Sequence, residues 1–248
     1  MNCQSPITYT VMPGDTLYKI ANNYGTTTSE IFYQNPSINP YNLKIGSQIL
    51  ICPRNEGKMP TGTSSSLPNF NSRLDLNNKM RLAWLQHIYW TRLLLISIAE
   101  RLQDQEATTS RLLQNPKDIA NIFEIYYGLE IAKKISDLLT EHLKIAAELI
   151  TALRDGKSQE ANDLDKKWYL NADQMADAFS SINPNYNRED VRKMLYEHLD
   201  LTKEEVAMRL AKNYSADIDA FNKVEQEILK MADYFSGGII KQFPQKFV

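Results

Sequence analysis

The feature that most constrains the fold is a pattern that occurs three times at an interval of about 56 residues. Each copy contains one histidine and, about 34 residues later, an (Ile/Met)-Ala-x-x-Phe pattern. The histidines are His87, His142 and His198, and the alanines of the second pattern are Ala120, Ala176 and Ala232. A fixed period of this length is typical of stacked helical units that share one core.

The repeat predicts three helical hairpins of about 56 residues each, which would form an all-α bundle of six up-and-down helices. Helix-breaking residues follow each copy, at Gly128, Asn183-Pro184 and Gly237-Gly238. Asn115-Pro116 and Asn187 have the residue types of helix starts. The predicted helices are 74–104, 115–127, 130–154, 157–181, 188–212 and 215–236.

Residues 8–52 have a different character, with short apolar runs separated by turn residues. A β-type run, Tyr9-Thr10-Val11, opens this segment, and Gln48-Ile49-Leu50-Ile51 closes it. Between them, Asp15 or Thr16 suits the N-cap of a first helix. A second helix over 28–34 should direct Ile31 and Phe32 inward and end at Asn35-Pro36. The order of elements is therefore βααβ.

With its Pro13-Gly14-Asp15-Thr16-Leu17 motif, this segment resembles the LysM domain over about 45 of the 248 residues. The resemblance implies binding of polymers that contain N-acetylglucosamine, meaning peptidoglycan or chitin. The sugar would lie in a shallow groove between the loop after the first strand and the loop before the last. The groove residues would be Pro13, Gly14, Asp15, Thr16, Leu17, Ile38, Asn39, Pro40 and Leu43. The same residues also suit turns, a helix cap and half-buried core positions.

Cys3 and Cys52 are the two cysteines of the chain, and they flank the two predicted strands. If the strands pair antiparallel, as in LysM folds, the sulfur atoms come within bridging distance. A disulfide would stabilise so small a domain by about 3–4 kcal/mol and would indicate an oxidising location. Two reduced thiols are the alternative.

Residues 53–70 are rich in Pro, Gly, Ser and Thr and have no apolar periodicity, which predicts a flexible linker. The predicted organisation is therefore a glycan-binding domain over 1–52, the linker over 53–70 and an all-helical bundle over 71–248.

Bulk properties disfavour several other classes of protein. The net charge of −2 disfavours a nucleic-acid partner, and the chain has no glycine-rich phosphate loop. No stretch approaches the ~18 apolar residues of a membrane span. The first residues have neither the basic nor the apolar segment of a signal peptide.

The helical region also resembles an uncharacterised family of spore-forming Firmicutes. The residues that carry this likeness include His87-x-x-Trp90-Thr91-Arg92, Ile182-Asn183-Pro184 and Lys241-Gln242-Phe243-Pro244. Together the two resemblances predict a location at the cell wall or spore surface, with envelope or spore-coat proteins as further partners. Synthesis in the mother cell would explain the lack of a signal peptide, and a cytoplasmic location stays open.

The repeated histidines have two interpretations. Ferritin-like bundles hold iron or manganese with inward Glu and His residues, and Glu141 and Glu197 directly precede two of the histidines. A centre of His87, His142, His198, Glu141 and Glu197 would bind Fe or Mn. However, adjacent helical residues point about 100° apart, and the Glu-x-x-His spacing of that family is absent. The alternative is that each histidine is a core residue hydrogen-bonded to a neighbouring hairpin. Further acids on the partner helices are Asp173, Asp177, Glu225, Glu227 and Asp233.

The favoured function is that of a non-catalytic peptidoglycan-binding protein with a helical scaffold. The alternative is a ferritin-like metalloprotein that the LysM segment targets to the envelope. A peptidoglycan hydrolase is a third hypothesis, since two carboxylates can cleave a glycan, but the chain has no recognisable hydrolase motif. An enzymatic role is therefore disfavoured.

Overall fold

The computed structural model describes residues 6–12, 15–35, 38, 43–53 and 70–247. The chain divides into two units, Met1–Ser64 and Ser65–Val248. Most of the predicted linker over 53–70 lies outside the described residues, so the linker stays a prediction.

The N-terminal unit contains two antiparallel strands, β1 (Ile7–Thr10) and β2 (Gln48–Ile51), whose register pairs Ile7 with Ile51. Two short helices lie between them in the chain, α1 (Leu17–Asn23) and α2 (Thr28–Gln34). The predicted βααβ order is confirmed for the described residues.

Side-chain caps explain where these short helices begin. The hydroxyl of Thr16 accepts a hydrogen bond from the Lys19 N–H at 3.2 Å, which makes Thr16 the N-cap of α1. Thr27 caps α2 by accepting from the Glu30 N–H at 3.1 Å, and the Glu30 carboxylate accepts from the Thr27 N–H in return. This reciprocal capping box satisfies two N–H groups that the helix leaves unpaired.

The N-terminal unit has a small core, and its fully buried members among the described residues are aliphatic. Its buried members are Val11, Leu17, Ile20, Ala21, Ile31, Ile49 and Ile51. Ile31 is buried as predicted, but the prediction for Phe32 is wrong, since 44% of that residue is exposed. Neighbouring residues of a helix point about 100° apart, so one short helix cannot bury both against one sheet face.

Over the described residues 70–247, the regular secondary structure of the second unit is helical. Its helices are α3 (Phe70–Glu100), α4 (Gln105–Leu112), α5 (Asn115–Tyr127), α6 (Leu129–Arg154), α7 (Ser158–Ile182), α8 (Arg188–Leu210) and α9 (Tyr214–Gln242), followed by a 3-10 helix at Pro244–Phe247. From α5 onward each helix packs on the next in sequence, and α3 packs on α9, so the bundle closes. Over the part of the chain that the structure describes, no helix combines the length and the apolar composition that a membrane span requires.

The helix boundaries follow the predicted signals at most positions. Gly128 separates α5 from α6 with a φ of 82°, and Asn183-Pro184 follows the end of α7. Asn187 is the N-cap of α8, where its side chain accepts hydrogen bonds from the N–H groups of Glu189 and Asp190. One helix was not predicted, because the polar sequence of α4 lacks an apolar stripe.

The predicted helix end at Gly237-Gly238 is wrong, because α9 continues through both glycines to Gln242. Gly238 allows a close approach of Tyr186. A Cβ atom at Gly238 would lie 2.0 Å from Cε1 of Tyr186, whereas a Cβ at Gly237 would meet nothing within 4 Å. The Tyr186 hydroxyl donates to the Phe235 carbonyl at 2.6 Å, which fixes the ring against α9.

Candidate functional site

The predicted sugar groove is only partly covered by the described residues. Pro13, Gly14, Asn39 and Pro40 lie outside them. The remaining predicted groove residues are Asp15, Thr16, Leu17, Ile38 and Leu43.

Asp15 holds the turn that follows β1. Its carboxylate accepts hydrogen bonds from the Met12 N–H at 2.7 Å and from the Tyr9 hydroxyl at 2.8 Å. The Met12 N–H first and then the Tyr9 hydroxyl lower the pKa of Asp15, so the carboxylate is ionised at neutral pH. Asp15 therefore shapes the loop rather than offering an unengaged carboxylate to a sugar.

The other described groove residues divide into core and surface. Leu17 belongs to the buried core, which leaves its side chain unable to contact a ligand. Thr16 is exposed beside its capping bond, and Ile38 and Leu43 are half-buried against the core. Among the described groove residues, Thr16, Ile38 and Leu43 therefore retain accessible surface, as does Asp15, whose carboxylate is engaged in the turn.

Two exposed apolar residues next to these loops were not predicted. Met12 follows β1, and Ile45 lies in the turn before β2, where 61% of it is exposed. The Val11 N–H donates to the Ser47 carbonyl at 2.9 Å, and the Gly46 N–H donates to the Val11 carbonyl at 2.8 Å. These bonds bring the two loop segments together. Met12 and Ile45 are apolar residues that fit neither a helical nor a strand periodicity, and this feature of the sequence could have identified them.

The predicted disulfide involves one residue outside the described ranges. Cys52 is half-buried directly after β2, whereas Cys3 precedes the first described residue. The Cys3–Cys52 bond therefore stays a prediction.

The three histidines of the helical unit converge in its core. His87 lies on α3, His142 on α6 and His198 on α8, and all three are buried. Their ring centres are 5.7 Å apart for His87 and His198, 6.2 Å for His87 and His142, and 6.3 Å for His142 and His198. One nitrogen atom from each ring lies within 4.8 Å of the other two. Because the nitrogens are closer together than the ring centres, they point into the space between the rings.

Each histidine uses its Nδ1 atom to contact the partner helix of its own predicted pair. The pairs are His87 with Asn115, His142 with Asn171 and His198 with Glu227, each at 3.1 Å. The partner follows its histidine by 28 or 29 residues in each case. The prediction that each histidine is buried and hydrogen-bonded therefore needs one correction. The partner lies on the other helix of the same predicted hairpin and not on a neighbouring hairpin.

The asparagine amides fix which ring nitrogen carries the proton. The Asn115 amide donates to the Ala83 carbonyl at 2.8 Å, and the Asn171 amide donates to the Leu138 carbonyl at 3.1 Å. Each amide oxygen therefore faces a histidine and must accept from Nδ1–H. The Glu227 carboxylate likewise accepts from His198. His87 and His142 consequently carry hydrogen on Nδ1 and a lone pair on Nε2, and the Nδ1–H of His198 faces Glu227.

Burial keeps two of these rings neutral. Desolvation, with a smaller contribution from His198, lowers the pKa of His87 to about 3. Desolvation, followed by the neighbouring His87 and His198, lowers the pKa of His142 well below its usual value. Neutral imidazole is the form that binds metal ions.

The carboxylates that were predicted to join the histidines do not do so. Glu141 and Glu197 lie on the exposed surface and are not part of the three-histidine group. Of the five acids noted on partner helices, only Glu227 reaches a histidine. The others bond elsewhere: Asp173 to Tyr196, Asp177 to Arg188, Glu225 to Tyr89 and Asp233 to Arg81.

Comparison with known proteins gives a family match for the N-terminal segment. Residues 9–51 match the family model of the LysM domain. The chain is also similar to the probable autolysin LDP of Staphylococcus aureus (strain NCTC 8325 / PS 47), with 39% identity over 62 residues. This match covers 25% of the chain and spans only 22% of that relative. No solved structure is significantly similar to the chain.

Proposed function

We propose that this protein binds cell-wall peptidoglycan through its N-terminal unit and has no catalytic role there. The observation that carries the proposal is the LysM match over 9–51, which the described β1, α1, α2 and β2 follow element by element. The autolysin similarity supports binding only, because it covers a small part of each chain. The helical unit serves as a scaffold that the first unit holds at the wall.

We infer that the sugar contacts the surface formed by Thr16, Ile38, Leu43, Met12 and Ile45. The first three are predicted groove residues with accessible surface, and the last two are exposed apolar side chains on the adjoining segments. Apolar side chains suit the faces of sugar rings, and a hydroxyl suits the acetamido and hydroxyl groups. Pro13, Gly14, Asn39 and Pro40 would complete this groove.

We also infer that the helical unit is a triplicated hairpin. Three features support this inference at equivalent positions: a buried histidine, a partner 28 or 29 residues later, and a bond from two of the partners to the carbonyl four residues before the histidine. The pairs would be α3 with α5, α6 with α7, and α8 with α9. The short α4 would then be an insertion in the first pair.

Sedimentation with insoluble peptidoglycan tests the binding role. The intact chain should sediment with purified sacculi, whereas a chain that starts at residue 71 should stay in the supernatant. Sedimentation of the truncated chain at the level of the intact chain would contradict the proposal. Loss of sacculus turbidity would instead favour the hydrolase hypothesis.

A surface substitution tests the position of the groove. Ile45→Ser should weaken glycan binding about tenfold, because about 1.4 kcal/mol of apolar contact with the sugar is lost. Tyr33→Ser is the matched control, since Tyr33 is 75% exposed on α2 and lies outside both loop segments. Equal affinities of the two variants in a titration with soluble peptidoglycan fragments would rule out this groove.

A narrower form of the proposal places the protein on the spore surface. It rests on the resemblance of the helical region to a family of spore-forming Firmicutes. Fluorescent labelling of the protein in sporulating cells of a spore-forming host should then give signal around the forespore, and uniform cytoplasmic signal would contradict it.

A further inference from the structure

The three-histidine cluster in the core of the helical unit has the features of a metal site. We propose that His87, His142 and His198 bind one divalent ion of the zinc class through their Nε2 atoms. This inference is independent of the proposed glycan binding, because every residue that carries it lies in the second unit. The site also differs from the Fe or Mn centre expected from ferritin-like bundles, since its ligands are three imidazoles.

The ring nitrogens are placed to share one ion. Atoms that lie within 4.8 Å of one another fit inside a circle of about 2.8 Å radius. A zinc–imidazole bond is about 2.0–2.1 Å long, so each ring has to shift by less than about 1 Å. Shifts of this size require no rearrangement of α3, α6 or α8.

The hydrogen bonds prepare the rings for coordination. Asn115, Asn171 and Glu227 each accept from an Nδ1–H group, which leaves each Nε2 atom directed away from the partner helix. Among the described residues no hydrogen bond reaches any of these Nε2 atoms. Metal-binding histidines characteristically donate their second N–H to a carboxylate or carbonyl group, which fixes the tautomer and the ring orientation.

Unsatisfied polar atoms around the cluster provide a second, independent observation. Glu227 is buried, and its Oε1 atom has no hydrogen-bond partner, although Oε2 binds His198. The indole N–H groups of Trp84 and Trp168 are also buried without a partner, and these rings pack against His87 and His142. Buried polar atoms without a hydrogen-bond partner are costly, so these three atoms indicate that a group is missing from the cluster.

The donor set selects the class of metal. Imidazole suits zinc, copper, iron and nickel, whereas manganese and magnesium prefer oxygen ligands. Three histidines supply three positions of a tetrahedral zinc ion and leave the fourth for solvent or a small anion. The ion would connect α3, α6 and α8, which belong to three different pairs of helices, so its binding should stabilise the whole bundle.

Metal content and a spectroscopic probe test this proposal on the full chain without a histidine tag. After incubation with excess Zn²⁺ and gel filtration, we expect about one zinc per chain and a rise in the unfolding midpoint of about 5 °C or more. With Co²⁺ we expect the intense visible absorption of a tetrahedral nitrogen-ligated ion. Less than ~0.1 equivalent of either metal in the wild-type protein would overturn the proposal, whatever the variants do.

Substitutions identify the ligands. His87→Gln, His142→Gln and His198→Gln should each reduce bound metal at least tenfold, and Glu227→Gln should weaken affinity by about 10- to 100-fold while the site stays present. The matched control is the double variant Glu141→Gln, Glu197→Gln, which removes the exposed acids next to two of the ligands and should bind metal like the wild type. Metal retained in a chain that carries all three histidine substitutions, or lost in the control, would contradict the assignment. X-ray absorption of the zinc-loaded wild type, which needs no variant to fold, should give three nitrogen neighbours at imidazole distance, and a sulfur shell or an all-oxygen shell would contradict it.

Discussion

The two units of this chain place their candidate ligand-binding residues in opposite ways. In the N-terminal unit they lie on surface loops, and no polar side chain is buried among the residues of this unit that the structure describes. In the helical unit the candidate ligands are histidines in the middle of the core, and the surface acids beside them take no part. The first arrangement can be recognised from a motif, whereas the second depends on which core side chains meet.

The largest expected effects come from core substitutions, because the two units differ in their total free energy of unfolding. Ile31→Ala in the small core should cost about 3 kcal/mol, which is a large share of the total for a domain of this size. Glycan sedimentation should therefore fall at least tenfold while helical circular dichroism stays unchanged. Phe235→Ala should cost about 4 kcal/mol in the larger unit yet leave glycan sedimentation intact. Loss of sedimentation in both variants would mean that the units are not independent.

A pair of glycine substitutions tests the packing of α9 on Tyr186. Gly238→Ala should destabilise the helical unit by about 3 kcal/mol, because the buried Tyr186 ring is held by its bond to Phe235 and cannot move away. Gly237→Ala should stabilise it by up to about 1 kcal/mol, because alanine favours a helix interior and meets no atom there. Urea unfolding followed at 222 nm measures both, and equal effects would refute the Tyr186 contact.

A pH dependence should be specific to the helical unit. Burial is the main cause that raises the pKa of Glu205 to about 7, since the effect of Arg92 is opposed by that of Asp217. The unfolded chain releases this proton near pH 4.5, so the folded state binds more protons between these values, and acidification stabilises it.

From pH 8 to pH 5 this group should therefore add about 2.5 kcal/mol to the free energy of unfolding. Glu205→Gln removes the contribution, so the difference between variant and wild type should change by that amount over the same range. Urea unfolding at both pH values checks this, and a constant difference would show that Glu205 titrates normally.

The smallest expected effects come from helix caps, one in each unit. Thr27→Ala should destabilise the N-terminal unit by about 1 kcal/mol, because α2 loses its capping box. Asn187→Ala should cost the helical unit a similar amount at the start of α8. Thermal unfolding should therefore shift more for the smaller unit, where the same free energy is a larger fraction of the total. Equal shifts would indicate that the small unit has an extra source of stability, and the predicted disulfide is the first candidate.

Much of the fold could be predicted from the sequence, because local signals fix local structure. Apolar periodicity, Gly128 and Asn187 gave helix boundaries within a few residues, and turn residues gave the βααβ order. The errors concern contacts between distant residues. Gly238 has the residue type of a helix breaker, and only its approach to Tyr186, about fifty positions away, explains its place within α9.

The histidine cluster was only half predictable for the same reason. Equal spacing placed the histidines at matching positions, and it also placed Asn115, Asn171 and Glu227 at a matching distance, although neither asparagine was predicted to bond a histidine. Helical geometry argued against Glu141 and Glu197, which are indeed exposed. Whether three equivalent side chains meet depends on the closure of the bundle by α3 and α9, and no local pattern encodes that contact.

The most direct test of the account compares the glycan affinity of residues 1–64 alone with that of the intact chain. Titration of both with the same soluble peptidoglycan fragments should give dissociation constants that agree within about twofold, because the proposed binding surface lies wholly on the N-terminal unit. A tenfold weaker constant for residues 1–64 that fold correctly, or binding by residues 65–248, would contradict the account.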